Sequence, residues 1–80
     1  MSPTVFRQDG YRFSFFSQEE DRMHVHVYSG DGEAKYWVEP AVELAVSYGF
    51  KAKQLRDIER ILEERKNEII ERWKQHHGNR

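Results

Sequence analysis

Eighty residues, 34% of them charged and 38% hydrophobic, leave room for one domain over residues 1–80 and exclude a large core. With no cysteine, neither a disulfide framework nor a thiolate zinc site can reinforce it. The net charge of −1 divides into −4 over residues 1–50 (four basic, eight acidic) and +3 over residues 51–80 (nine basic, six acidic), which speaks against a general nucleic-acid binder.

Aromatic residues make up 14% of the chain, and each large ring removes much apolar area from water, which offsets the low aliphatic content. No apolar run approaches the ~20 residues of a membrane-spanning helix. The N-terminal Met1-Ser2-Pro3-Thr4 lacks the basic start and apolar stretch of a signal peptide, so a cytoplasmic protein is expected.

In chain order, residues 4–7 form a short β-prone segment, and Asp9-Gly10 supplies the turn of a hairpin. Residues 11–16 return as a second strand, with Tyr11, Phe13 and Phe15 on one face and Arg12, Ser14 and Phe16 on the other. Residues 17–22 are polar and acidic and read as a loop. A third strand over 24–28 points Val25 and Val27 one way, and His24, His26 and Tyr28 the other. After the turn Ser29-Gly30-Asp31-Gly32, a fourth strand over 33–38 sets Ala34, Tyr36 and Val38 against Glu33, Lys35 and Trp37.

Pro40 suits the first turn of a helix, residues 41–48 are apolar over most of a helical circumference, and Gly49 is a natural stop. A short helix is therefore expected there. From Lys51 a long helix carries Leu55, Ile58, Ile61, Leu62, Ile69 and Trp73 at three- and four-residue steps. Run straight to His76, it would measure about 39 Å. Strands of five or six residues span only ~20 Å, so its end is expected to overhang and to offer a surface for self-association. Arg65 interrupts the apolar stripe, either snorkelling at the core edge or marking where the helix leaves its sheet. The expected architecture is α+β: a four-stranded antiparallel sheet with a short and a long helix packed on one face.

Several motifs together carry a resemblance. They are Pro3-Thr4-Val5, Gly10-Tyr11-Arg12-Phe13, His24-Val25-His26-Val27, Ala34-Lys35-Tyr36-Trp37, Glu43-Leu44-Ala45 and Gly49-Phe50, followed by a helix ending near Trp73. In these the chain resembles the small prokaryotic family catalogued as domain of unknown function 4160, over nearly its whole length. It departs where family members tend to place proline before the third strand, having Arg22-Met23 instead. The resemblance implies a gene pair with another small protein, in a module resembling toxin and antitoxin. It implies no chemistry.

His24 and His26, at i and i+2 on one strand, could both reach one metal ion, with Glu33 as the best further carboxylate and His76 and His77 far along the chain. A stable site needs three or four ligands, so no metal and no cofactor are expected. No phosphate loop, nucleophile motif or paired carboxylates appear, so no catalytic residue is assigned. The working surface expected from alternation holds Arg12, His24, His26, Tyr28, Lys35 and Trp37. Arginine, tyrosine and tryptophan are the residues on which protein interfaces concentrate their binding energy. A protein partner is therefore the leading expectation. RNA binding, or RNA cleavage by His24 or His26 with Lys35 or Arg12, is the alternative, and a third reading is that the long helix folds over part of this face and makes Trp37 core.

Overall fold

A computed structural model of the chain describes residues 4–15 and 22–76, with only the backbone of His76. Phe16, residues 17–21 of the expected loop, Pro3 and His77 lie outside the described residues. Five strands come first: β1 (Thr4–Gln8), β2 (Tyr11–Ser14), β3 (His24–Tyr28), β4 (Glu33–Trp37) and β5 (Glu43–Tyr48). Two helices follow, α1 (Ala52–Glu64) and α2 (Lys66–His76). The strands pair antiparallel in the order β1-β2-β3-β4-β5. The α+β class is as expected; the sheet has five strands rather than four.

The β1–β2 hairpin forms where Asp9 and Gly10 both take positive φ, 55° and 87°, the combination that lets a two-residue turn follow the twist of its strands. Alternation then selects the core. Phe13, Val25, Val27, Tyr36 and Val38 point to the helices and are fully buried with Ile58, Ile61, Leu62 and Ile69. Tyr36 carries the one hydroxyl among them. It donates toward Leu55 O (3.3 Å) and Glu59 Oε2 (3.1 Å), so the ring that fills the core also fixes α1.

The segment expected as a short helix is strand β5. Val42, Leu44, Val46 and Tyr48 also alternate with period two, and a short apolar run satisfies both periods. The open edge of β4 decides between them: β5 pairs along its whole length, with a bulge opposite Lys35 and Tyr36 that absorbs Ala45. The Glu39–Pro40 peptide is cis. Gly49, at φ 85°, ends a strand instead of a helix, and a Cβ there would run into Asp31 O. Immediately afterwards Lys51 N donates to Gln54 Oε1 (2.8 Å), and Gln54 Nε2 donates to Asp31 Oδ2 (2.8 Å), tying the first turn of α1 to the β3–β4 turn.

The long helix is also corrected. It breaks at Arg65, whose φ of −110° and ψ of 20° leave the helical region. A straight run would be about 39 Å long, more than the 36 Å longest dimension of the molecule. The break instead returns α2 to the sheet, where Ile69 and Trp73 are buried. Arg65 holds the corner: its guanidinium lies 3.5 Å over the Phe6 ring, Nη1 donates to Gln8 Oε1 (3.0 Å), and Nε and Nη2 grip Glu68 at 2.9 Å each. Among the described residues, then, the straight helix from which an overhang was expected is two helices with the second packed on the sheet.

Candidate functional site

Residues directly opposite one another on neighbouring strands share a face, so the register lays out the side of the sheet away from Val25 and Tyr36. One row crosses all five strands: Arg7, Arg12, Tyr28, Glu33 and Tyr48. The next is Ser14, His26, Lys35 and Val46, and the third is His24, Trp37 and Glu43. The six residues expected from alternation thus do lie on one face. Five of them (Arg12, His26, Tyr28, Lys35 and Trp37) are half-buried.

His24 is different. It has no exposed surface. Its ring packs against Trp73 (5.1 Å between centroids), His26 (5.2 Å) and Trp37 (6.0 Å). Nδ1 lies 2.8 Å from Arg22 O, and because a carbonyl can only accept, Nδ1 is the donor in that contact. The return of α2 brings Trp73 over this end of the sheet, so His24 is a packing residue and no contact residue. Ser14 is buried as well, and its hydroxyl has no hydrogen-bond partner among the described residues.

Among the described residues the histidine pair gains no third ligand. Glu33 stands opposite Tyr28, whereas His26 faces Lys35 and His24 faces Trp37. No group of three or more His, Asp or Glu among the described residues could hold a metal ion. With His24 buried, a pair of histidines working together on a dissolved substrate has only His26 to present.

The rings on this face carry cations. Arg22 Cζ lies 4.3 Å and Lys35 Nζ 4.6 Å from the Trp37 centroid, and Arg12 Cζ lies 5.8 Å from that of Tyr28. Arg22 also donates to Glu39 O (3.2 Å) and pairs with Glu43 Oε1 (3.4 Å). Alternation gave no sign of Arg22, because it precedes the strand. Its only sequence signal is that it stands where the chain departs from the resemblance.

Sequence reasoning also missed β5. Leu44, Val46 and Tyr48 are 37%, 39% and 65% exposed, large apolar side chains together on the outermost strand. Val46 and Tyr48 extend the rows of Lys35 and of Tyr28, so one surface runs from the basic β1–β2 side to an apolar edge. The alternation of Val42, Leu44, Val46 and Tyr48 was the signal of a strand, but the bulge at Ala45 turns Leu44 to the Tyr36 side and leaves Val46 and Tyr48 on this face.

Fold and face define a small α+β sheet domain with helices packed on the Tyr36 side, Trp73 covering one end of the other face, and an apolar outer strand. The family model described as Domain of unknown function (DUF4160) matches residues 10–74, and the chain belongs to that family. No curated protein and no solved structure matches it. No helix among the described residues is long and apolar enough to cross a membrane.

Proposed function

We propose that this protein is a small partner-binding domain, one half of a two-protein module resembling toxin and antitoxin, and that it binds an extended segment of the other protein along β5. The observation that carries this reading is the exposure of Val46 and Tyr48 on one face of a single edge strand, with Leu44 exposed on its other face. An edge strand presents unpaired backbone groups, and apolar side chains beside them fit strand addition, in which main-chain bonds give affinity and side-chain contacts give selectivity. Trp37 and Lys35 of neighbouring β4 stand beside it on the face of Val46 and Tyr48, and tryptophan and tyrosine are residue types that dominate binding energy. Base stacking on these rings is less favoured, because Arg22, Lys35 and Arg12 already lie over them.

The test is to co-express the full chain with the small protein encoded beside it, as wild type and as Val46→Glu, Tyr48→Ala and Trp37→Ala. Val46→Glu should abolish the complex and Trp37→Ala should weaken it by about tenfold or more, the effect of losing ~1.4 kcal/mol at a hot spot. A complex that survives Val46→Glu with unchanged affinity would exclude the β5 edge. RNA binding that falls steeply with salt, with no protein complex formed, would favour the nucleic-acid alternative.

A further inference from the structure

At the other end of the same face, Arg7 and Arg12 stand directly opposite each other on β1 and β2. Like charges so placed destabilise a sheet, because side chains of directly opposed residues begin only about 5 Å apart. Among the described residues nothing neutralises them. Arg7 is exposed and pairs with no carboxylate among the described residues. Arg12 spends Nε on Thr4 Oγ1 (3.0 Å) and lies near the Tyr28 ring, contacts that orient the guanidinium without balancing its charge.

The pair lines an open hollow of about 390 Å³ with Gly10, Tyr11, Tyr28 and Ser29. Among the described residues no carboxylate lines it. Of the acids around it, Asp9 pairs with Arg60 (3.9 Å) and Asp31 accepts from Gln54, while Glu33 stands one strand farther on, opposite Tyr28. Ser29 Oγ accepts from Asp31 N (3.1 Å), which leaves its O–H to donate.

We propose that this hollow is an oxyanion site that takes a phosphate group between Arg7 and Arg12. Two guanidinium groups match the charge of a phosphate dianion, and their planar forks suit its oxygens better than ammonium groups would. A bound dianion turns the cross-strand repulsion into two charge-assisted contacts, and Ser29 adds a neutral donor. The site lies on the β1–β2 hairpin, strands away from β5, so it stands or falls independently of the partner-binding reading.

Thermal melting of the full chain in inorganic phosphate, against chloride at equal ionic strength, tests it. With phosphate at about five times its Kd, the melting temperature should rise by ~4–8 °C. Arg7→Gln should remove that rise and, in chloride alone, melt no lower than wild type, since it deletes a like-charge contact. Lys53→Gln, an exposed cation on α1, should keep the full response. The proposal is overturned if wild type shows no phosphate-specific rise, or if Arg7→Gln keeps it. Equal loss in Lys53→Gln would reduce the effect to general screening and also sink it. An RNA oligomer that binds wild type and is not displaced by phosphate would assign the arginines to a nucleic-acid surface instead.

Discussion

The two outer strands of this sheet meet the same problem, a row of backbone groups without a neighbouring strand, and resolve it differently. On β1 the helices close the edge. Arg72 Nη1 donates to Val5 O (3.1 Å), Arg65 Nη1 reaches Gln8, and the Arg65 guanidinium covers Phe6. A bulge at the start of β1 places Val5 in the core, 7% exposed. On β5 no described residue hydrogen-bonds to the outer backbone edge, and the side chains there are apolar and exposed. The sheet thus protects one edge with three arginine contacts and leaves exposed apolar side chains on the other.

The strongest way to break this contrast is to detach α2. Ile69 is fully buried and anchors the helix that carries Arg72 and follows Arg65. Ile69→Ala should lower the unfolding free energy by about 2–5 kcal/mol, a large fraction for a small domain. Hydrogen exchange should then accelerate at β1 more than at β5, whose outer edge has no helix to lose. Equal acceleration at both edges would mean that the sheet, and not α2, protects β1.

A milder perturbation acts through acid. The two hydrogen bonds from Arg65 hold the Glu68 carboxyl below the usual carboxylate range; burial works against them, and the charges of Arg65 and Arg72 add to the lowering. A carboxyl with a depressed folded-state pKa contributes stability above its unfolded pKa and loses it as pH falls through the folded value. The urea midpoint should therefore drop on acidification partly through this corner, and Glu68→Gln should flatten that acid limb. Because Glu68 keeps 35% of its side-chain surface, the contribution is screened and modest. An unchanged limb in Glu68→Gln would show that Arg65 holds the corner through Phe6 and Gln8 alone.

Particular residues show how far the sequence could be read. Val25, Val27, Tyr36 and Val38 declared their face by simple alternation, and Asp9-Gly10 declared its turn, because both signals are local. The segment Ala41 to Tyr48 carried two periods at once, and only the edge of β4, a tertiary partner, selected the strand. The break at Arg65 had no glycine or proline to announce it; it follows from a sheet too narrow for a straight helix and from a guanidinium that finds Phe6, Gln8 and Glu68 together. Alternation put His24 on its correct face, yet could not foresee that Trp73, brought back by that break, would bury it. Local pattern gave the direction of each side chain, and long-range packing decided its exposure.

The smallest expected effect is the sharpest test of the two edges, because it asks for almost no change. Phe6 and Tyr48 are both aromatic residues on outer strands. Phe6 stacks on Phe13 (4.5 Å between centroids) beneath the Arg65 guanidinium, so Phe6→Ala removes apolar burial and a cation–π contact together. That should cost about 1–3 kcal/mol. Tyr48, 65% exposed, has little burial to lose, and its backbone stays paired with Glu33. Tyr48→Ala should leave the unfolding free energy within ~0.5 kcal/mol of wild type, as surface substitutions do. Measured by urea titration of both variants in one buffer, a gap of more than about 1 kcal/mol between them supports a closed β1 edge and an open β5 edge. If Tyr48→Ala is as damaging as Phe6→Ala, Tyr48 belongs to the fold and is not held out for a partner. If neither matters, the arginine cover over β1 does not stabilise the domain, and the contrast between the edges loses its energetic basis.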